Sequence, residues 1–378
     1  MIYLDNAATT PILPQVKRKM EPFMSVNFGN PSASYELGRK AKRAMEESRE
    51  QIAECIGAKE SEIYFTSGGS EGDNWIIKGV ADEKKKFGRN IITSRIEHHA
   101  VLNSCKYLEK MGYDITYLDV NKDGLISMEQ LKEAISDNTT LVTVMYGNNE
   151  IGTLEPIMEI AGLLNEKGIL FHSDAVQVIG QIPIDVNVIN LDYLSASAHK
   201  FHGPKGVGFV YAREKRPIPS FINGGGQEYG KRAGTENVAG IIGMAEALKL
   251  STDNMKYNRQ HVIKLRNHMI ERVENEIEEV MLNGDLNNRL PGNVNFSFKD
   301  IEGMELLILL EEEGIYASVG SACSAGSSSL SHVIKAIDVP MEYARGTIRF
   351  SLSSDNTINQ IDVTVNILKK LIKILRNK

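Results

Sequence analysis

The sequence predicts an α/β protein with a mainly parallel seven-stranded sheet in a large first part and a smaller α/β block after it. Two observations lead there. Between residues 62 and 211, short β-rich runs alternate with amphipathic helical stretches, the rhythm of strand, crossover helix and parallel strand. Beyond about residue 250, further β-like runs are interleaved with helices over a shorter length.

In chain order the strands of the first part are expected at 62–66, 90–94, 114–120, 140–146, 169–173, 193–197 and 207–211. Polar residues follow several of them closely. In sheets of this kind a ligand lies outside the carboxyl ends of the strands, so the pattern predicts one shared site. Residues 237–277 read as helical with few breakers, and the second part then offers strands at 280–283, 293–298, 315–319 and 347–352. The expected division is a large domain of residues 15–250 and a small one made of 1–14 and 251–378. No internal repeat or low-complexity linker is present.

With 378 residues, 42% hydrophobic and 24% charged, the chain can bury a sizeable core. A net charge of -6 gives no electrostatic footprint for nucleic acid, and the basic clusters at 84–86 and 369–370 are short. No apolar run reaches the ~18 residues of a membrane span, and the start lacks the pattern of a signal peptide, so the expected location is cytoplasmic. Three widely spaced cysteines, Cys55, Cys105 and Cys323, argue against a disulfide framework and against a zinc site, and no metal is expected. Cys55 and Cys105 fall in helical runs as small buried hydrophobes. Cys323 stands in the small-residue stretch Ser321-Ala322-Cys323-Ser324-Ala325-Gly326, where a thiol invites a chemical role.

The chemistry begins at Ser197-Ala198-His199-Lys200, directly after the strand at 193–197. A lysine at a strand end among small residues is a candidate Schiff-base lysine, because partial desolvation helps it lose its proton; the competing reading is a solvated charge. Thr66-Ser67-Gly68-Gly69-Ser70-Glu71 opens a helix after the first strand and suits a phosphate cup, since glycines expose backbone N–H groups at a helix N-terminus. An N-cap by Ser67 or Ser70 would explain the same residues. No Walker lysine follows, which disfavours a nucleotide triphosphate. Asp174, after 169–173, can pair with a protonated ring nitrogen or can cap the next helix. His98 follows the strand at 90–94 and can stack on a ring and move protons, whereas His99 is expected to face outward.

Two look-alikes are set aside. The stretch from Asp119 imitates a calcium loop but places Gln130 at its twelfth position. Gly203, Gly206 and Gly208 precede a strand, so they make room for the site and do not form a dinucleotide fingerprint.

Taken jointly, the phosphate cup, His98, Asn149, Asp174 with Gln177, and Ser197-Ala198-His199-Lys200 occur on consecutive strand ends. With Tyr3-Leu4-Asp5-Asn6-Ala7-Ala8-Thr9-Thr10, Asn148-Asn149-Glu150-Ile151-Gly152, Arg232-Ala233-Gly234-Thr235-Glu236-Asn237, Gly320-Ser321-Ala322-Cys323-Ser324 and Ile348-Arg349-Phe350, the chain resembles cysteine desulfurases of the NifS/IscS type over essentially its whole length. The resemblance implies the pyridoxal-phosphate transferase fold (aspartate aminotransferase-like, fold type I) and pyridoxal 5′-phosphate as cofactor. It further implies that Lys200 carries the cofactor, Asp174 meets its ring nitrogen, Gln177 its ring oxygen, and His98 stacks on the ring. Gly69, Ser70, Ser197 and His199 would hold the phosphate, with Thr235 reaching it from the second subunit of a homodimer.

By the same resemblance Asn149 and Arg349 would hold the carboxylate of L-cysteine, and Cys323 would take its sulfur as a persulfide. A sulfur-acceptor or iron–sulfur scaffold protein would be the partner, with tRNA thiolation as the other destination. Many relatives have histidine where Tyr35 stands and proline where Leu330 stands. Selenocysteine lyase and cysteine or cystine lyase are the competing activities, and a partner-dependent sulfur-relay platform is the reading from another class.

Overall fold

In this computed structural model, residues 1–320 and 330–377 are described. Twelve strands occur among them, named here β1 to β12: Ile2–Tyr3, Ile63–Thr66, Asn90–Ser94, Asp114–Leu118, Thr139–Thr143, Leu170–Asp174, Tyr193–Ser197, Gly208–Ala212, Val280–Leu282, Asn293–Phe298, Ile315–Tyr316 and Thr347–Ser351. The main sheet runs β2-β8-β7-β6-β5-β3-β4. Only β8 is antiparallel to its neighbours, so the mainly parallel, seven-stranded expectation holds. Its central strands are buried on both faces, as crossover helices require.

Those helices include Gly69–Lys84 after β2, His99–Lys110 after β3 and Ile157–Lys167 after β5. One apolar core lies between the sheet and helix Glu36–Ile56, among them Ile52, Phe171 and Phe209. The other face packs around Trp75, whose ring stacks on Phe221 and meets Tyr64 edge-on.

A second antiparallel sheet, β12-β10-β9, and the parallel pair β1-β11 form the smaller layer. Helices Met255–Glu276, Gly303–Glu312 and Ile358–Arg376 cover it around Phe296, Phe350 and Leu368. Leu4 belongs to this core, which carries the N-terminal segment across to the smaller layer. The backbone of Leu4 and Asp5 pairs with β12, and Ser318 pairs with Arg349 on it. These pairings put residues 5–9 and Arg349 beside the carboxyl ends of the main sheet.

Three sequence expectations change. The helical stretch 237–277 is two helices, Val238–Asp253 and Met255–Glu276, broken at Asn254 (φ -98°, ψ 1°). The polar run Thr252-Asp253-Asn254 has low helix propensity, and the break lets one helix pack on the large core and the next on the small one. Cys55 is half-buried and lines an apolar cavity of about 400 Å³ with Ile182 and Leu248, whereas Cys105 is buried as expected. The last turn of the 140–146 run leaves the ladder after Thr143, although the amides of Val144 and Tyr146 still bond to β6 carbonyls. At the calcium look-alike, Asn121 Oδ1 accepts from the amides of Asp123 and Leu125 and Gly124 has φ +81°, a tight turn closing a Val120 to Ile126 bridge. No helix among the described residues is long and apolar enough to cross a membrane.

Candidate active site

One cavity of about 430 Å³ opens at the carboxyl ends of β2, β3, β5, β6 and β7. Gly69, Ser70, His98, Asn149, Asp174, Gln177, Ser197, His199, Lys200 and Arg349 all line it. Six segments spread over most of the chain therefore converge as the strand-end argument requires. Thr235 is exposed and is not among the lining residues of the single chain. Cys323 lies outside the described residues.

The cup is built by helix Gly69–Lys84. Its N-cap is Gly68, with φ +152° and no side-chain cap bond. Capping by Ser67 or Ser70 is thus overturned: the Ser67 hydroxyl instead donates to Glu71 Oε2 at 2.6 Å, and Arg232 Nε bonds Glu71 Oε1 at 2.8 Å. The first-turn amides of the helix keep their anion-binding direction. A Cβ at Gly69 would lie 2.5 Å from Val176 Cγ2, and one at Gly68 would lie 3.4 Å from Ser197 Oγ. Only glycine leaves that floor open. Gly208 serves the same space from beneath, since a Cβ there would sit 2.7 Å from Gly68 Cα.

His199 follows β7, with Nδ1 3.2 Å from Thr9 Oγ1. Burial, then the charges of Lys200 and Lys205, hold it down to about 4, so it is neutral at pH 7. Lys200 Nζ donates to the carbonyls of Ala7 at 2.6 Å and Ala8 at 2.9 Å. Gln177 Nε2 donates to the same Ala7 carbonyl at 3.0 Å. The segment 7–9, carried there by β12, is thus a wall of the pocket.

Asp174 is the last residue of β6, and its Oδ1 accepts from the amide of Val176 at 2.9 Å. This is a turn bond and no helix starts there, so the helix-cap alternative falls. Burial raises its carboxyl, while His98 and Lys200 favour its charge. His98 caps helix His99–Lys110 by accepting the Ala100 amide on Nδ1 at 3.1 Å, which leaves the proton on Nε2. Burial lowers its pKa first. His99 does not simply face outward: it is half-buried, with its ring 4.8 Å from that of His332.

Arg349 on β12 is 1% exposed. It donates through Nη1 to the Asn149 carbonyl at 2.9 Å and through Nη2 to Asp5 Oδ1 at 2.7 Å, and its buried Nε has no partner among the described residues. Sequence reasoning missed Asp5 as the partner of Arg349, as well as the Ala7 and Ala8 carbonyls. The motif 3–10 was visible, but nothing local says which distant side chain it meets.

Pyridoxal 5′-phosphate, implied by the resemblance, fits this donor set. Glycine-lined first-turn amides with Ser70, Ser197 and His199 suit a phosphate, buried Asp174 suits a protonated ring nitrogen, and Lys200 suits an imine with an aldehyde.

The family profile described as "Aminotransferase class-V" matches residues 2–363. A protein described as "Cysteine desulfurase IscS" from Clostridium botulinum (strain Hall) is 50% identical over 374 residues, covering 98% of this chain and 94% of the relative. One of the same description from Dictyoglomus turgidum is 49% identical over 375 residues, 99% of this chain and 95% of the relative. A solved structure titled "NIFS-LIKE PROTEIN" superposes with a TM-score of 0.93 at 38% identity, over 99% of each chain.

Proposed function

The chain belongs to the class-V aminotransferase family, and from that premise we propose how its own residues carry the work of a cysteine desulfurase. It is a pyridoxal 5′-phosphate enzyme whose substrate is L-cysteine. The observation that carries the reading is the convergence of Lys200, Asp174, His98 and the Gly68–Gly69 cup on one cavity that Arg349 closes. When bound, the cofactor supplies an electron sink that acidifies the α-proton of an attached amino acid.

Gly69, Ser70, Ser197 and His199 hold the phosphate, and Thr235 of a second copy completes it in a homodimer. Asp174 would keep the ring nitrogen protonated, Gln177 would bond the ring oxygen, and His98 would stack on the ring and exchange protons through Nε2. The Ala7 and Ala8 carbonyls orient Nζ of Lys200, which would hold the cofactor and would supply the base for the α-proton. Arg349 and Asn149 orient the substrate carboxylate; the planar guanidinium is already fixed by Asp5 and the Asn149 carbonyl, so little further ordering is needed.

Cys323 then acts as thiolate on the substrate sulfur. An S–S bond forms as the C–S bond breaks, its electron pair stays with the carbon skeleton, and protonation releases L-alanine. The persulfide passes to an acceptor protein for iron–sulfur cluster assembly or tRNA thiolation.

Purified holoprotein given L-cysteine should yield alanine, and intact mass should show Cys323 one sulfur atom heavier. Cys323→Ser should keep the cofactor's absorbance and lose sulfur transfer. Undiminished sulfide release by that variant would point to a lyase, and turnover seen only with an added acceptor would point to the relay platform.

A further inference from the structure

Beneath the pocket lies an acid that the reaction above does not use. Asp73 sits in the second turn of helix Gly69–Lys84, 1% exposed, and neither of its oxygens makes a hydrogen bond of ordinary geometry to a described residue. Asp73, His98 and Asp174 each place one ligand-type atom within 4.8 Å of the other two. Orphaned polar atoms at such depth call for an explanation.

The surroundings are polar but poor in cations. His172, two residues before Asp174 on β6, is fully buried, with Nδ1 2.8 Å from Thr143 Oγ1 and Nε2 3.0 Å from Ser195 Oγ. Asp73 Oδ1 lies 3.7 Å from the same Nε2. Burial holds the imidazole down to about 3, so no imidazolium compensates the carboxylate at neutral pH. The other ionisable groups facing Asp73 are Asp174 on β6, and Glu97 and His98 after β3.

Two enclosed carboxylates this close cannot both ionise without a large penalty, so a proton belongs to the pair. Its location follows from the neighbours. Asp174 accepts the Val176 amide and has Lys200 and His98 on its side, and both favour its charge. Asp73 has no such help beyond the nearby Ser195 hydroxyl, and burial and Asp174 together drive its pKa well up.

We propose that Asp73 is held as the neutral acid and is a positioning residue whose retained proton leaves Asp174 the single anion beneath the cofactor ring. Its O–H has the Ser195 hydroxyl as acceptor, Ser195 donates to His172 Nε2, and His172 Nδ1–H donates to Thr143 Oγ1. The consequence for Asp174 rests on the reading of the pocket as a pyridoxal phosphate site; the proton on Asp73 does not.

Infrared difference spectra of wild type against Asp73→Asn, near neutral pH, test this on both holoprotein and cofactor-free protein. A protonated-carboxyl C=O stretch sensitive to deuterium exchange should be present in wild type and missing from the variant in both forms. A wild-type-minus-variant difference spectrum without that band overturns the proposal in favour of an Asp73–His172 ion pair; the carboxyl bands of buried Glu97 and Glu155 are common to both proteins and cancel in the difference. If Asp73→Asn does not fold, ¹³C-aspartate labelling of the wild type decides: one protonated-carboxyl component must shift, and if every such band stays in place all of them belong to glutamic acids such as Glu97 and Glu155 and the proposal falls.

The pH midpoint of the cofactor's visible absorbance is the second readout. Asparagine replaces a neutral acid by a neutral amide, so the midpoint should move by well under one pH unit, whereas removal of a real anion this close should move it by about a unit or more and sink the idea. A protein that takes up no cofactor would defeat the pocket reading and leave the infrared result to stand alone.

Discussion

Ser331 Oγ donates a 2.6 Å hydrogen bond to Glu150 Oε2, tying residue 331 to the loop that carries Asn149. The next residue repeats the move: His332 Nε2 donates to the carbonyl of Glu97 at 2.9 Å, one position before His98. Behind them Val333, Ile334 and Ile337 pack with Ile96, Met145 and Ile151 of the main-sheet side. Two pocket loops are thus held from the smaller side of the molecule. Leu330 packs at the edge of this cluster.

The Ser331 hydroxyl also accepts the Val333 amide at 3.1 Å, capping helix His332–Ala336. Ser331→Ala should therefore cost about 2 kcal/mol of unfolding free energy, from a lost cap and a buried Glu150 carboxylate short of a donor. Ser331→Thr should keep most of it. Urea denaturation of the three proteins measures the difference, and an alanine variant as stable as wild type would show that the contact is not made in solution.

Arg349 gives a prediction of a different kind. Arg349→Lys keeps a positive charge but loses the planar fork that joins Asp5, the Asn149 carbonyl and the substrate carboxylate. KM for cysteine should rise by roughly 10- to 100-fold with a smaller fall in kcat, since a charge-assisted bond is worth about 1.5–3 kcal/mol. Steady-state kinetics separate the two. A fall in kcat alone would remove Arg349 from carboxylate binding.

How legible this was from sequence depends on how local the cause is. β3, β7 and β10 lie at the positions expected, because short apolar runs between polar breaks form strands wherever they are placed. The cup was legible for the same reason, its glycines and its helix being neighbours in sequence. The choice between cup and N-cap was not, because Ser67 is drawn away by Glu71, itself held by Arg232 from 161 residues off. The Arg349 pairing with Asp5 spans 344 residues and leaves no periodic trace. Asp73 was passed over since a polar residue near a helix start is unremarkable until strands β6 and β7 bury it.

Gly69→Ala should weaken cofactor binding by about tenfold or more, because its Cβ would press into Val176 Cγ2 at 2.5 Å and tilt the first-turn amides. The clash partner is a side chain, so the defect should be repairable. Adding Val176→Ala should recover much of the loss, which fluorescence or absorbance titration of the apoprotein with pyridoxal phosphate can read. No recovery in the double variant would mean that Gly69 matters through its backbone and not through this contact.

Glu97 yields a prediction in pH. It is fully buried, its carboxyl pushed up to about 8 by burial, with the Ser94 hydroxyl at 2.7 Å and the Met145 amide opposing that rise only in part. An unfolded glutamate titrates near ~4.3. Between these values the folded protein holds a proton that the unfolded chain has lost, so stability falls as pH rises across the window. The contribution is complete below the unfolded value and is lost as pH passes through about 8. Glu97→Gln removes the titration while keeping a polar carbonyl for the Met145 amide. The variant should therefore gain on wild type from about pH 5 to about pH 9, by up to about 4 kcal/mol at ~1.4 kcal/mol per pH unit. Glu155, also pushed up to about 8 by burial, acts with the same sign, so the variant's slope should shrink without vanishing. Urea midpoints of the holoproteins at a series of pH values measure this, and a variant-minus-wild-type difference that stays flat across the window would mean that Glu97 is ionised in the folded protein.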